Sequence, residues 1–372
     1  MLTFYLLFGI LYAGSLLWLG AVWKQSHQTT EGKRADLLVS ILVPYRNESK
    51  NILGILDAVQ SLRHRPLQLI FINDQSEDEG PEILKESVKK KFADSFEVIL
   101  LQSKGEGKKA ALETGVEYAK SDILLTTDAD CKLPFLWVEY FLDLFEETST
   151  QLVAGPVISK EGTGFIHSFQ LVEWASILLV TQAGFTQGNP LMCSGANLAF
   201  RKSTFLTVKG YEGNRSHLSG DDEFLLKKIS THYGSASVKY LNHINALVYT
   251  KPENSWGSLF SQKIRWASKW KMHKQATHQL AAVLPVAIQL VFISSPILLC
   301  FGIVGFLSFL LLWSMKLGAE YMVLGTVLKT FEVNKKITVF LKVGLIHPFY
   351  IVRVAVGAIL GKFEWKGRNS FD

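Results

Sequence analysis

Two zones of this sequence are long and apolar enough to cross a lipid bilayer, and they lie towards opposite ends of the chain. The first runs from Met1 to Trp23 without a charged side chain, and about 20 apolar residues in a helix span the hydrocarbon core. It lacks the basic start and the small-residue cleavage site of a signal peptide, so residues 1–23 are predicted to form a membrane helix. The second zone, residues 283–361, predicts two to three further membrane segments. We therefore expect an integral membrane protein with a polar middle section.

Basic residues follow the first apolar segment, with Lys24 directly after it and Lys33 and Arg34 soon afterwards. Lysine and arginine are enriched on the cytoplasmic side of membrane helices, so the middle section is predicted to be cytoplasmic, as in a protein of the bacterial inner membrane. The basic C-terminal tail is typical of the same side. An odd number of further crossings would therefore require a last segment that is re-entrant or lies on the membrane surface.

The net charge of +6 is modest, and part of it lies beside the apolar segments. This arrangement favours contact with anionic membrane lipids and argues against a nucleic-acid partner. The three cysteines have no metal-like spacing and form no even disulfide framework, which is typical of a reducing compartment.

The middle section alternates between strand and helix patterns. Short apolar runs predict strands, and apolar residues at helical spacing predict the helices between them. The predicted strands are 37–43, 67–72, 96–101, 122–127 and 152–156, and the predicted helices are 51–63, 81–91 and 108–120. Such alternation predicts an α/β fold, a Rossmann-like and mostly parallel sheet with helices on both faces. We place this domain at residues 37–255.

Polar clusters follow each of the first four predicted strands. They are residues 46–48, residues 74–78, residues 104–109 and the acid pair of residues 128–130. Because parallel strands end at the same edge of a sheet, and such sheets bind ligands beyond that edge, the four clusters predict a binding site there. The alternative is that the acids and serines only cap the helices that follow.

The acid pair is Asp128-Ala129-Asp130, at the end of the fourth predicted strand. Two carboxylates one residue apart suit a divalent cation, since Mg²⁺ and similar ions take carboxylate oxygens and often keep phosphate oxygens as further ligands. The alternative is a solvated turn that happens to hold two acids.

An ordered series of motifs resembles the family 2 glycosyltransferases of the GT-A fold, the membrane-anchored group that includes cellulose, chitin and hyaluronan synthases. The series covers about residues 39–270. Its pieces are Val43-Pro44-Tyr45-Arg46-Asn47-Glu48, Asn73 to Asp78, Lys104 to Leu112, Asp128-Ala129-Asp130, Ser194 to Arg201, Gly220-Asp221-Asp222-Glu223, and Gln262-Lys263-Ile264-Arg265-Trp266. The last piece is a Q-x-x-R-W motif just before the C-terminal membrane zone.

This resemblance implies a UDP-sugar donor site. Glu48 and Asp74 would hold the uridine end, with help from Asp128. Asp130 would be the ligand to Mg²⁺ or Mn²⁺ that bridges the diphosphate. A lysine would neutralise the departing UDP, and the sequence leaves open whether Lys108 or Lys109 does so, or whether both only begin a solvated helix.

The resemblance also implies an acceptor side. Asp222 would be the general base that deprotonates the acceptor hydroxyl, with Asp221 beside it, since direct displacement at an anomeric carbon needs a proton acceptor. The alternative is that these acids only stabilise a helix N-terminus. Asn197 would belong to an acceptor-side loop, and a tight structural turn is its alternative.

Residues 256–280 mix tryptophans with basic side chains, which predicts a helix at the membrane interface. Within it, Arg265 suits bidentate contact with phosphate, and Trp266 offers a flat face to a sugar ring. Gln262 completes the motif.

Together these features predict an inverting, metal-dependent glycosyltransferase that moves a sugar from a UDP-sugar to a lipid-linked or glycan hydroxyl. Two other classes are weighed against it. A sugar nucleotidyltransferase would need a glycine-rich loop with Arg and Lys after the first strand, where this chain has Pro44 to Glu48. A catalytically inactive membrane scaffold would not need to retain both Asp130 and Asp222.

Overall fold

The computed structural model describes residues 1–25, 36–91, 97–215, 220–269 and 276–360, with residues 364–365 and 368–369 near the C-terminus. The chain divides into two compact units. Unit 1 comprises Met1–Gln25, Glu161–Val180 and Pro252–Asp372, and unit 2 comprises Ser26–Lys160 and Thr181–Lys251. The sequence predicted one uninterrupted domain over 37–255, whereas residues 161–180 group with the helices of unit 1.

Unit 2 contains the α/β fold. Its strands are β1 (Val39–Tyr45), β2 (Leu67–Asn73), β3 (Glu97–Gln102), β4 (Ile123–Thr126), β5 (Leu152–Ala154), β6 (Val157–Ser159), β7 (Leu198–Arg201), β8 (Val238–Tyr240) and β9 (Val248–Thr250). Its helices are α2 (Ile52–Ser61), α3 (Gly80–Lys91), α4 (Gly107–Tyr118), α5 (Trp137–Phe145), α7 (Lys202–Thr207) and α8 (Asp221–Tyr233). Most predicted elements are present within one or two residues of their expected bounds.

Seven strands form one sheet in the order β3-β2-β1-β4-β7-β5-β8. The strands β3, β2, β1 and β4 are parallel, with Ile41 of β1 level with Leu69 and Leu125 of its two neighbours. β7 runs antiparallel to both β4 and β5. The predicted mostly parallel sheet is confirmed, and the four polar clusters do follow strands that end at one edge.

The central strands are buried on both faces. Every residue of β1 and β4, and all of β2 except Asn73, is buried. A strand that is buried at successive positions has cover on both sides of the sheet, because its side chains alternate between the two faces. This explains why these strands read as continuous apolar runs in the sequence.

Unit 1 is helical. It contains α1 (Leu2–Gln25), most of α6 (Phe165–Thr186), α9 (Trp256–Ala267), α10 (Ala276–Ser294), α11 (Gly302–Thr330) and α12 (Ile337–Leu360). A 3₁₀ segment at Ser295–Phe301 connects α10 to α11, and a two-residue antiparallel pair joins Glu364–Trp365 to Arg368–Asn369. Among the residues that the structure describes, three stretches are long and apolar enough to cross a membrane: Leu2–Gln25, Gln279–Thr330 and Ile337–Leu360.

The predicted interfacial segment 256–280 is only partly described. Its first part forms α9, which begins after Ser255, whose hydroxyl accepts the Ser258 amide N–H at 3.1 Å. Residues 270–275 lie outside the described residues, as do Lys33 and Arg34, on which part of the orientation prediction depends.

Candidate functional site

The acid pair at the end of β4 lies beside a lysine from α4. Lys108 Nζ is 2.7 Å from Asp128 Oδ1 and 3.3 Å from Asp221 Oδ2. Asp128 follows a strand of the parallel half of the sheet, whereas Asp221 begins α8. One ammonium group therefore joins two acidic segments that are more than 90 residues apart in the sequence.

Burial alone would lower the pKa of Lys108, but Asp128, Asp221 and Asp222 outweigh it and hold this pKa above its usual range. Lys109 has a different environment, since its buried Nζ donates to the Asn214 carbonyl at 2.8 Å and lies 5.2 Å from the Phe224 ring centroid. Of the two lysines that the sequence left open, Lys108 is the one among the acids.

The second acidic segment stands at the N-terminus of α8. Gly220 precedes it with a φ of 89°, a left-handed conformation that glycine adopts without steric cost. Asp222 Oδ2 accepts the Gly195 amide N–H at 3.1 Å, and its Oδ1 accepts the Glu223 amide N–H at 2.8 Å. Two backbone donors thus fix the Asp222 carboxylate beside the Lys108 cluster.

Sequence reasoning did not assign a role to Gly195. A Cβ atom at this position would lie 2.6 Å from Asp221 Oδ2 and 3.2 Å from Lys108 Nζ. Only glycine therefore leaves the two charged groups where they are. The run of small residues Ser194-Gly195-Ala196 is the signal that could have indicated such a close approach.

Hydrogen bonds connect the loops that follow β1 and β2. Asp74 is buried and its Oδ1 accepts the Gly107 amide N–H at 2.8 Å, which ties the end of β2 to the start of α4. Arg46 donates to the Asp74 carbonyl at 3.0 Å and pairs with Glu77 at 2.8 Å. The Glu48 carboxylate accepts the side-chain amide of Asn51. Glu48 and Asp74, the residues expected at the uridine end, are thus both held at this edge.

Asn197 lies in the loop that β7 brings to the same edge, since antiparallel pairing sets Leu198 beside Thr126 at the end of β4. Its side chain is fully buried. Its Nδ2 donates to the carbonyls of Pro156 and Ala246, both at 2.7 Å, and its Oδ1 accepts the Trp137 indole N–H at 2.8 Å.

These contacts give the Asn197 side chain a structural role. The side chain of an asparagine has two N–H donors, and in Asn197 both are used by backbone carbonyls in the interior. The side chain therefore holds the loop in place, as the structural alternative has it, and the acceptor-side role of the loop itself stays a prediction.

Asp130 is the residue that the sequence predicts as a ligand to a divalent cation. Its Oδ2 accepts the Thr250 hydroxyl at 3.4 Å, and the side chain is half-buried. Within the described part of the chain, no three His, Cys, Asp or Glu side chains are grouped so as to hold a metal ion. Mg²⁺ and Mn²⁺ often use one or two carboxylates and complete their shell with substrate phosphates. Asp130 therefore fits a cation that arrives with a diphosphate.

The Q-x-x-R-W residues lie on α9, in unit 1. Gln262 Nε2 donates to Glu253 Oε1 at 3.0 Å, and Arg265 is half-buried. The Trp266 ring packs edge-on against Trp174, with 5.5 Å between ring centroids, and carries the Lys263 ammonium 4.2 Å from its own centroid. One face of Trp266 is therefore already occupied by a cation.

Comparison with known proteins finds a family that matches part of the sheet domain. Residues 40–208 match the family described as Glycosyl transferase family 2. The chain is 28% identical over 256 residues to a poly-β-1,6-N-acetyl-D-glucosamine synthase of Staphylococcus epidermidis, covering 66% of this chain and 56% of that protein. It is 25% identical over 238 residues to the enzyme of the same name from Staphylococcus aureus strain COL, covering 62% and 53%. The chain thus spans about half the length of the curated relatives it matches.

Among solved structures, a mannosyltransferase from Pyrobaculum calidifontis in complex with GDP-mannose and Mn²⁺ superposes with a TM-score of 0.57. The alignment covers 95% of this chain and 99% of that one at 14% sequence identity. At this identity the likeness concerns the fold.

Proposed function

We propose, from the match of residues 40–208 to the family 2 glycosyltransferases, that this chain is an inverting, metal-dependent enzyme of that family. The donor is a UDP-sugar, and the acceptor is a hydroxyl group of a lipid-linked or growing glycan. The reaction takes place at the cytoplasmic face of the membrane, with membrane lipids around the helices of unit 1.

The single observation that supports this proposal most is the position of Lys108 between Asp128 and Asp221. Asp128 belongs to the edge of the parallel sheet where nucleotides bind in folds of this kind. Asp221 precedes the base that we propose. The lysine brings the donor-side and acceptor-side acids into one cluster, as a transfer between two bound sugars requires.

In the proposed reaction Asp222 accepts the proton of the acceptor hydroxyl. The acceptor oxygen forms a bond to the anomeric carbon of the donor sugar, the bond from that carbon to the diphosphate oxygen breaks, and UDP leaves on the opposite face. The Gly195 and Glu223 amide N–H groups orient the carboxylate, so that it can act as a positioned general base.

On the donor side, Asp130 would hold Mg²⁺ or Mn²⁺ together with the diphosphate. When bound, the cation supplies Lewis-acid stabilisation of the negative charge on the leaving group. The charged Lys108 adds a second positive group next to Asp128, and Glu48 and Asp74 hold the uridine end.

We assign Gln262, Arg265 and Trp266 to the donor as well. The Arg265 guanidinium suits a diphosphate because its planar donors match two phosphate oxygens at once. Trp266 would contact the sugar with the part of its ring that Lys263 leaves open.

The first experiment is a donor panel with the protein purified in detergent. UDP-N-acetylglucosamine heads the panel because the curated relatives are named for a polymer of that sugar, followed by other UDP-sugars and GDP-mannose. We expect release of UDP from one UDP-sugar with Mg²⁺ or Mn²⁺ and none with EDTA. Release from no donor would contradict the proposal. Formation of a UDP-sugar from UTP and a sugar 1-phosphate, with release of pyrophosphate, would support a nucleotidyltransferase instead.

Two variants assign the roles. Asp222→Asn keeps the shape of the side chain but removes the base, so turnover should fall by about a hundredfold or more while UDP still binds. Asp130→Ala should weaken UDP binding in the presence of Mn²⁺ by calorimetry and leave metal-free binding unchanged. A wild-type rate in the first variant, or unaltered Mn²⁺-dependent affinity in the second, would contradict the assigned role.

A further inference from the structure

A buried network connects three helices of unit 1 beneath the Q-x-x-R-W motif. Lys263 of α9 lies with its Nζ 3.1 Å from Glu173 Oε2 of α6. The hydroxyl of Tyr350 in α12 donates to Glu173 Oε1 at 2.8 Å. All three side chains are more than nine-tenths buried. A membrane helix is thereby linked to the motif helix through one carboxylate.

Lys263 also contacts two tryptophans. Its Nζ lies 4.2 Å from the ring centroid of Trp266 and 5.1 Å from that of Trp174. Lys263 and Trp266 are three residues apart, so they share a face of α9. A cation over an aromatic ring is attracted to it, most strongly when both are shielded from water. The ammonium group therefore restrains the orientation of the Trp266 ring.

The contact between α9 and α12 is close on either side of this network. A Cβ atom at Gly357 would overlap the Ile264 side chain, so the two helices approach each other closely at this position. The Phe260 ring lies 5.3 Å from that of Tyr350, and the Arg353 guanidinium lies 4.9 Å from the Phe260 centroid. α9 thus packs directly against α12 on both sides of the network.

A buried ion pair is a poor way to stabilise a protein. Taking Lys263 and Glu173 out of water costs several kcal/mol of desolvation, roughly what their attraction returns, and an apolar pair of similar volume often packs as well. The pair therefore contributes little net stability, whereas the contact of Lys263 with the motif tryptophan restrains the orientation of that ring.

We propose that Lys263 is a positioning residue, which together with Glu173 and Tyr350 holds Trp266 and the α9 segment in the orientation that binds the donor. This inference rests on the proposed function, in which Trp266 and Arg265 contact the donor. Lys263 itself acts through Trp266 and needs no contact with substrate.

The chain offers a matched control in the same unit. Lys316 and Glu320 form a buried ion pair on α11 with 2.5 Å between Nζ and Oε1, and the Tyr12 hydroxyl donates to the same carboxylate oxygen at 2.7 Å. Lys316 is also within 6 Å of two aromatic rings, those of Phe292 and Trp313. The control thus has a similar ion pair, tyrosine and aromatic rings and lies outside α9, and it differs in that Lys316 Nζ also donates to the Gly344 carbonyl at 3.0 Å.

The experiment compares single and double variants of the two pairs. Lys263→Met and Glu173→Gln each leave a buried charge without its partner, and so do Lys316→Met and Glu320→Gln; all four should lower the thermal midpoint in detergent. Both double variants remove the charge imbalance and should recover much of that midpoint. The Lys316→Met/Glu320→Gln variant should recover less, because the Gly344 carbonyl has lost its lysine donor. Only the Lys263→Met/Glu173→Gln double variant should keep a donor KM raised about tenfold, because its tryptophan has lost the cation. Lys263→Arg keeps the cation and should bring the donor KM back towards the wild-type value.

Amide hydrogen exchange of α9 is measured on the same samples and needs no donor. Residues 256–267 should exchange faster in the Lys263→Met/Glu173→Gln double variant and at the wild-type rate in the Lys316→Met/Glu320→Gln one. The inference would be overturned if the Lys263→Met/Glu173→Gln variant recovered both the donor KM and the exchange protection of α9. It would also be overturned if the Lys316→Met/Glu320→Gln variant lost both to the same extent. An inactive wild-type protein would refute the proposed function, and the exchange would still decide whether Lys263 positions α9.

Discussion

Lys108 Nζ lies 3.3 Å from Asp221 Oδ2, and this contact joins the first turn of α4 to the first turn of α8. The same ammonium group is 2.7 Å from Asp128. Since Asp222 adds a further negative charge to its surroundings, three carboxylates depend on one cation for their close approach. The geometry of the whole cluster is therefore sensitive to this lysine.

The first prediction contrasts Lys108 with its neighbour. Lys108→Met leaves the acids to repel one another, so UDP-sugar turnover should fall by about a hundredfold and the donor should bind more weakly. Lys109→Met removes a hydrogen bond to the Asn214 carbonyl and should mainly lower the thermal midpoint. Steady-state kinetics and melting of both variants test this. If Lys108→Met and Lys109→Met lost the same turnover per folded molecule, the two lysines would not have the different roles that we assign to them.

The charge of Lys108 gives a related expectation for pH. Because the acids hold the folded-state pKa of Lys108 above the ordinary lysine value of about 10.4, its contribution to stability is complete below that value and is lost only as pH rises through the folded pKa. Lys108 therefore stays charged between pH 8 and 10, and any fall in activity over that range comes from another group. The pH midpoint of such a fall should be the same in Lys108→Arg as in the wild type. If the pH midpoint of activity moved in Lys108→Arg, Lys108 would be the group that titrates in this range.

The second prediction concerns Gly195. A methyl group in Gly195→Ala would lie 2.6 Å from Asp221 Oδ2, so the acids and Lys108 must shift, and turnover should fall at least tenfold. Gly54→Ala is the control, because that glycine lies in helix α2 with open space around the position of a Cβ atom. It should keep full activity and gain about 0.5–1 kcal/mol of stability. Normal turnover in Gly195→Ala would show that the cluster tolerates displacement.

The third prediction concerns the loop before β7. Asn197→Ala removes the donor to the buried Ala246 carbonyl and the acceptor of the Trp137 indole N–H, whereas the Pro156 carbonyl keeps the Val248 N–H at 3.0 Å. Each buried unsatisfied group costs about 1–3 kcal/mol. We expect a clear fall in the thermal midpoint of unfolding. The exposed Asn254 serves as the control, and its change to alanine should alter the free energy of unfolding by less than about 0.5 kcal/mol. A normal midpoint with a raised acceptor KM in Asn197→Ala would restore the acceptor-side role.

Short apolar runs predicted the parallel half of the sheet because β1, β2 and β4 are buried on both faces and are largely apolar, with Ser40 and Gln68 as buried polar exceptions. The edge on which the polar clusters meet followed from parallel topology alone. β7 was not predicted as a strand. It is four residues long and antiparallel, and its pairing with β4 depends on contacts between residues about 75 positions apart.

Side-chain roles were harder to predict than the fold. Adjacent lysines such as Lys108 and Lys109 are equivalent in a sequence, and they differ only because α4 turns one towards the acids and the other into the interior. Asn197 looked like a loop residue open to a ligand, since a sequence does not show which carbonyls surround an amide. The partners of Lys263 were also beyond prediction, because Glu173 and Tyr350 come from distant helices.

The last prediction uses a lysine of α8. Burial lowers the pKa of Lys227 to about 8, with Glu223 acting in the opposite direction from 3.9 Å. A lysine whose folded pKa lies below its unfolded value of about 10.4 opposes folding at low pH, and this penalty fades as pH rises from 8 towards 10.4, where the unfolded chain binds more protons. Lys227→Met should therefore raise the thermal midpoint at pH 7, and the gain should shrink by pH 10. Lys90→Met, at an exposed position of α3, should show a difference from wild type that is the same at both pH values. A gain for Lys227→Met that stays constant with pH would mean that burial does not penalise its charge.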